Sequence, residues 1–181
     1  MDKHESTIGL KSGIVRIVKH RTVWAVLYNT EAEIFKKCLG DIAVDIQHVG
    51  STSVPGLIAK PIIDVAIAVN SLAAIFSAVN RLLDIGYSDK GDQGATGGYL
   101  LVKNSEPDVR TFYIHIVEKA DIQWRNYIAF RDCLRRDAKI RAEYARLKKD
   151  LAAKFPRDRL SYTNGKEQLI RNVLAKLNTV E

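Results

Sequence analysis

The stretch HVGSTSVPGLIAKPIIDVAIAV, residues 48–69, sets the architecture of the chain. From Pro61 to Val69 it is apolar at every position but one, as a strand covered on both faces of a sheet must be. Pro61 has no amide proton to give to a ladder, so it can only open that strand. The exception is Asp64. Burying an unpaired carboxylate is costly, so the fold has to provide a partner or leave it at an open strand end beside a site. Lys60 or Arg110 would serve in a structural ion pair; a metal-binding or phosphate-handling role is the alternative. Upstream, Gly50-Ser51-Thr52-Ser53 follows a strand directly. Glycine lets the backbone approach a ligand, and three hydroxyls with adjacent N–H groups can receive phosphate oxygens, although hydroxyl-rich turns are also common where no phosphate binds. Strand, Gly-Ser turn, short connection and a carboxylate thirteen residues after Ser51 would bring phosphate donors and an acid to one sheet end.

Before this stretch, Ile42, Val44, Ile46 and His48 alternate with Ala43, Asp45 and Gln47 at the period of a strand. TVWAVLYNTEAEIFKKCLG (residues 22–40) places Trp24, Leu27, Tyr28, Ile34, Phe35 and Cys38 on one helical stripe, with Thr22 as cap and Gly40 as stop. After it, SLAAIFSAVNRLLDIG (residues 71–86) predicts a helix capped by Ser71 that buries Leu72, Ile75, Phe76, Val79 and Leu83 and stops at Gly86. Gly91, Gly94, Gly97 and Gly98 lie among polar residues and signal a loop, either a lid or a long hairpin approach. YLLVK (99–103) and VRTFYIHIVE (109–118), separated by NSEPD, predict an antiparallel hairpin. From Asp121 the period becomes 3.6, with stripes through Trp124, Tyr127, Ile128 and Leu134, then Ile140, Tyr144, Leu147 and Leu151, then Leu169, Ile170, Val173, Leu174 and Leu177. Three helices would close the chain, broken near Asp137 and at Phe155-Pro156, and the last would start near Asn164-Gly165. The layout is α+β: a mixed β-sheet with flanking helices over residues 1–118, and a C-terminal helical lobe over 119–181 packed on it.

A length of 181 residues fits one domain, or one domain with an added lobe, and 46% apolar content with a mean hydropathy of −0.12 excludes general disorder. No run approaches the length that spans a bilayer, and the polar opening has no apolar signal core, so a cytoplasmic protein without membrane contact is expected. Cys38 and Cys133 stand alone in helical patterns and read as buried free thiols. The net charge is +7, unevenly spread: residues 1–118 carry 12 basic and 13 acidic side chains, net −1, and residues 119–181 carry 16 and 8, net +8. That excess falls on amphipathic helices whose solvated faces account for it, Arg135-Arg136 and Lys148-Lys149 among them, and no nucleic-acid reading module accompanies it. Nucleic acid is therefore not the expected partner.

Several other residues qualify for the site. Thr111, Tyr113 and His115 alternate on one face of their strand while Phe112, Ile114 and Ile116 take the other, so a polar face on an interior hairpin points to a cleft. His115 is either a general base or ligand there, or a buried structural histidine. His48 either orients Asp64 or the Gly-Ser turn, or is a hydrogen-bonded core histidine. Lys60, Arg110 and Arg131 could neutralise phosphates; Phe130-Arg131-Asp132 could equally join lobe to sheet.

Residues 48–64, the early Trp24 helix, RTFYIHIVE, and the tail from Trp124-Arg125 through Phe130-Arg131-Asp132 to Tyr162 and Lys166 resemble the GrpB-like family in order and spacing, over nearly the whole chain. That family has the nucleotidyltransferase fold and also occurs fused behind some dephospho-coenzyme A kinases. In the wider superfamily Gly-Ser holds the triphosphate and an acidic-x-acidic pair on the next strand binds Mg²⁺. Gly50, Ser51 and Asp64 match; the second acid falls on Ala66, and the superfamily's third acidic position coincides with His115 or its neighbourhood. Gly98 and Tyr99 stand where relatives carry basic residues.

The resemblance thus implies a nucleotide or other phosphorylated ligand. Gly50, Ser51, Thr52 and Ser53 would hold phosphate, with Lys60, Arg110 and Arg131 supplying charge. Asp64 would bind Mg²⁺, His115 would act in catalysis, and His48, Tyr113 and Lys166 would support the site. A nucleotidyl group would pass to an acceptor. The alternative is a non-catalytic module that senses a ligand or meets a protein partner, for which Ala66 is the main sign.

Overall fold

In the computed structural model, which describes residues 7–94 and 98–178, the chain runs β1 (Leu10–Lys11), α1 (Val23–Leu39), β2 (Asp45–Val49), β3 (Ile63–Val69), α2 (Leu72–Asp84), β4 (Ser88–Asp92), β5 (Tyr99–Glu106) and β6 (Val109–Glu118). Four helices follow: α3 (Ile122–Arg136), α4 (Ala138–Lys154), α5 (Arg159–Asn164) and α6 (Glu167–Asn178). The described strands form one mixed sheet in the order β2-β3-β6-β5-β4, with β1 added beside the start of β6. β3 and β6 are parallel, setting Asp64 beside Tyr113 and Ala66 beside His115. The remaining neighbours are antiparallel.

Strand alternation divides the core into two layers. Ile63, Val65, Ile67 and Val69 point with Phe112, Ile114 and Ile116 toward α1 and α2, where Trp24, Phe35, Leu39, Ile75, Ala78 and Leu82 cover them. On the other face Val49, Ala66, Ala68 and Val117 lie under Trp124, Tyr127 and Ile128 of α3. Val54 and Leu57, from the β2–β3 connection, meet Leu134 of α3 and Tyr144 of α4. From Val65 to Val69 both faces of β3 are therefore dry, which is why that run lacks a polar alternation.

Both helical stripes on the first layer differ from the periodic pattern. In α1 Glu31 is buried and Ile34 is exposed, because Glu31 accepts hydrogen bonds from Tyr87 Oη and from Lys103 Nζ, the latter at 2.5 Å. In α2 Ile75, Ala78, Val79 and Leu82 face the sheet, while Leu72, Phe76 and Leu83 are exposed. The small Ala78 lies at the contact, letting the helix settle closer to the strands than a stripe of large residues would allow. Ser71 Oγ caps α2 by accepting from the Ala74 N–H at 3.2 Å, whereas Thr22 starts α1 without a side-chain cap bond.

The glycine-rich segment contains a strand. β4 pairs antiparallel with β5 as an edge whose side chains are mostly exposed, so it has no apolar alternation to betray it. Gly98 takes φ +62°, and a Cβ there would lie 2.8 Å from the Ile116 carbonyl oxygen, which accounts for glycine at that position; Gly97 lies outside the described residues. The tail holds four helices rather than three. Asp137 caps α4 by accepting from the N–H groups of Lys139 and Ile140 at 2.8 and 3.0 Å, and the short α5 separates Pro156 from the last helix, which begins at Glu167. Cys133 is buried, Cys38 only half so, and both are free. Among the described residues no helix is long and apolar enough to cross a membrane.

Candidate functional site

β2 ends at Val49, which pairs with Asp64 on β3, so the Gly-Ser turn begins one residue from the carboxylate. Gly50 adopts φ +65°. A Cβ built on it would sit 2.9 Å from Asp64 Cβ and Cγ, and closer still to the carboxylate oxygen. Glycine is thus required twice, by the backbone angle and by the acid lying against the turn. His115, one register step along β6, places Nε2 3.8 Å from Asp64 Oδ1.

The helices of the tail roof this sheet end and leave a cavity of about 340 Å³. Its floor is Gly50, Ser51, Asp64 and His115. Its walls bring four cations, Lys60 from the β2–β3 connection, Lys148 from α4, Arg159 from α5 and Lys166 from the α5–α6 turn, together with Tyr113, Tyr127, Tyr144 and Tyr162. The rings hold the cations in place. Lys60 and Lys166 flank Tyr162 at 5.4 and 4.7 Å from its centroid, and Arg159 lies 4.6 Å from that of Tyr113. The Tyr144 phenol pairs with the Ser51 hydroxyl.

Burial and mutual repulsion give these groups unusual acidities. Desolvation, then Lys166 and Arg159, bring the Lys60 ammonium down to about 7. Desolvation, against the pull of Asp64 and with Arg159 adding to it, brings Lys166 down to about 8. Lys148, 2% exposed, is held well below the ordinary lysine value by burial, and its Nζ donates to the Ile58 carbonyl. Burial works to raise Asp64, but the hydrogen bond and charge of His115, with Lys60 and Lys166, overcome it and leave the carboxyl below its usual value. Positive charge dominates the cavity, and among the described residues Asp64 is the one carboxylate in its lining.

That donor set offers Mg²⁺ a single carboxylate, Asp64, and lacks the further acids of a two-metal site. Phosphoryl-transfer sites hold Mg²⁺ through one or two carboxylates and the substrate's phosphates, and two-metal sites need more. Ala66 is fully buried in the layer beneath α3, with no path for a second acid at that position. Among the described residues there is no group of three or more His, Cys, Asp or Glu side chains placed to hold a metal ion.

Of the residues singled out from the sequence, the cavity brings together Gly50, Ser51, Thr52, Lys60, Asp64, Tyr113, His115 and Lys166. His48, Ser53, Arg110 and Arg131 lie outside it. His48 is buried on the α1 side, stacked on Tyr28 with 4.7 Å between centroids, and its Nε2 is 3.0 Å from Thr52 Oγ1, so it props the turn from behind. Ser53 is also turned inward, its Oγ donating to the Gly50 carbonyl at 2.6 Å. Arg131 is buried and joins α3 to β2: it donates to Asp132, to Gln47 Oε1 at 2.8 Å and to the His48 carbonyl at 3.2 Å. Arg110 donates to Tyr113 Oη at 3.2 Å in a shallow neighbouring recess that also touches Lys60 and Arg159.

Two tail cations correct the reading of solvated helix faces. Lys148 points into the cavity, and Arg135 donates to the Ser53 carbonyl from Nε at 3.1 Å and from Nη2 at 2.8 Å, tying α3 to the turn. The sequence did carry one signal for Lys148, since it follows Tyr144 by one helical turn on the apolar stripe. Arg159 offered none: the short helix that carries it was not visible as a period.

A family model described as "GrpB protein" matches residues 14–176. The chain is 34% identical over 173 residues to the glutamate-rich protein GrpB of Alkalihalophilus pseudofirmus, covering 94% of this chain and 99% of that protein. It is 36% identical over 157 residues to UPF0157 protein YqkA of Bacillus subtilis, covering 87% of this chain but 45% of that longer protein. A shorter match, 36% over 85 residues, covers 45% of this chain and 21% of a dephospho-CoA kinase of Mycolicibacterium paratuberculosis. Among solved structures, GrpB from Enterococcus faecalis matches with a TM-score of 0.79 and 31% identity, covering 89% of this chain and 96% of that one. Cid1 poly(U) polymerase with MgGTP bound matches with a TM-score of 0.52 and 18% identity, covering 75% and 44%. At that identity the likeness concerns the fold, which is that of nucleotidyltransferases.

Proposed function

The chain belongs to the GrpB protein family, and from that premise we propose that it binds a phosphorylated small molecule, a nucleotide, at the sheet end where β2 leaves and β3 enters. One observation carries the reading: the Gly50-Ser51 turn, Lys60, Lys148, Arg159 and Lys166 all line one cavity of about 340 Å³, a volume in the range of small-ligand sites. Phosphate oxygens would meet the turn's N–H groups and the cations, and a base would lie among the tyrosine rings. Binding is the function that this lining supports best, and it needs no second acid.

Nucleotidyl transfer is a second reading, favoured by the 3.8 Å approach of His115 to Asp64. There His115 would take the proton of an acceptor hydroxyl as that oxygen attacks the α-phosphorus and pyrophosphate leaves, with Asp64 orienting the imidazole. The Mg²⁺ of the MgGTP-bound Cid1 structure would have Asp64 as its one carboxylate here, which weighs against this reading. Calorimetric titration with ADP, ATP, GTP and UTP, each with Mg²⁺ and with EDTA, tests the binding proposal. Heat with at least one nucleotide is expected; silence with all of them in both conditions removes it. Release of pyrophosphate that is lost in His115→Ala would favour transfer.

A further inference from the structure

Among the described residues, three lysines and an arginine around one carboxylate give the cavity lining a formal charge of +3 with histidine neutral. Asp64 has the His115 imidazole beside it, Nε2 3.8 Å from Oδ1, while Lys60 and Lys166 meet the faces of Tyr162 and form no salt bridge among the described residues. Lys148 donates to a backbone carbonyl, which satisfies a proton and leaves the charge uncompensated. Buried ammonium groups without counter-ions give up their protons more readily, as burial makes Lys60 and Lys166 do, and an anion that completes the site holds those protons in place. A phosphate monoester brings about −1.5 to −2 at neutral pH, so one phosphate leaves a surplus, a second linked phosphate offsets it, and a third goes slightly beyond.

We infer that the cavity takes an oligophosphate, two or three linked phosphates, as the metal-free anion, with Lys60, Lys148, Lys166 and Arg159 occupying the electrostatic role that Mg²⁺ has in phosphate sites built from acids. The inference rests on the proposed phosphorylated ligand and adds to it that chelation works against binding. A Mg²⁺ complex carries less negative charge to the lysines and presents a cation to a cavity that already holds four. The single carboxylate then has a different purpose from a metal ligand. It lies against Gly50 and tempers the repulsion among the lysines.

The test uses the whole chain and two probes, ADP and inorganic tripolyphosphate, titrated calorimetrically in EDTA and again in excess Mg²⁺. Binding in EDTA at least about tenfold tighter than in Mg²⁺ is expected, the scale of one hydrogen bond to a charged group. Lys166→Gln and Arg159→Gln should each weaken the EDTA affinity by about the same factor, and Asp64→Asn, which removes a negative charge from the cavity, should tighten it. Thermal melts of each variant separate a lost contact from a lost fold, and Arg159, half-buried at the cavity edge, is the variant that folding tolerates best. ADP bound more tightly than tripolyphosphate identifies a nucleotide as the source of the phosphates; equal binding identifies the phosphate chain itself. Binding that requires Mg²⁺ and disappears in Asp64→Asn overturns this inference while leaving the phosphorylated ligand standing. Binding of neither probe nor any nucleotide in either condition removes both.

Discussion

Gly50 and His48 carry most of the turn's geometry between them. Alanine at position 50 would meet a positive φ and the Asp64 side chain at once, so Gly50→Ala should destabilise the fold by about 1–3 kcal/mol, read from urea denaturation. Pairing it with Asp64→Gly should recover the steric part and leave the backbone part. His48 is pushed down to about 4, by burial first and by Arg135 and Arg131 after it, against the opposing pull of Asp64. It is therefore neutral in the fold, while the unfolded imidazole takes up a proton near its ordinary value. Between pH 6.5 and about 4 the unfolded state binds more protons, so stability should fall as pH drops through that window and level off below it. Urea midpoints measured across that range should lose that part of the slope in His48→Gln.

At the scale of elements, α3 is fastened to the sheet by arginines rather than by apolar contact alone. Arg131→Ala should cost about 2–3 kcal/mol, since it strips a buried charge from three acceptors and leaves Gln47 and the His48 carbonyl short of a donor. Faster amide exchange along β2 and α3 would locate the loss. Lys148 in α4 is the opposite case. A methionine fills the same volume without desolvating an ammonium, so Lys148→Met should raise the stability of the ligand-free protein by about 1 kcal/mol and weaken phosphate binding. A thermal midpoint that falls instead would show that the bond to the Ile58 carbonyl outweighs the buried charge.

For the molecule as a whole, the cavity makes stability depend on pH in a known direction. Lys60 and Lys166 titrate near 7 and 8 in the fold and near 10.5 when unfolded. The unfolded state thus holds extra protons between about 7 and 10.5, and the ligand-free protein should grow more stable as pH rises across that interval. A bound anion restores both protons. Binding should therefore take up protons and weaken above about pH 8, which titrations in buffers of different ionisation enthalpy would measure. The basic excess of the tail belongs partly to this interior: Arg131, Arg135, Lys148, Arg159 and Lys166 all face carbonyls, side chains or the cavity. A pure charge count pointed to solvated faces because charge carries no direction until the helices are placed.

The strands β2, β3, β5 and β6, the Ser71 cap and the meeting of Gly50 with Asp64 at one sheet end were legible in the chain, since each rests on local periodicity or on the intolerance of a buried strand for a lone acid. The edge strand β4 was not, because polar side chains on an exposed edge leave the backbone to pair without any pattern. The stripe of α2 was misplaced by its large residues, as packing against the sheet favoured the small Ala78. Tyr127, Tyr144, Lys148 and Arg159 became part of the cavity only through the docking of three separate helices over β3 and β6. Contacts between residues ninety positions apart have no signature in a periodic pattern, and the electrostatics of the site arise entirely from that convergence.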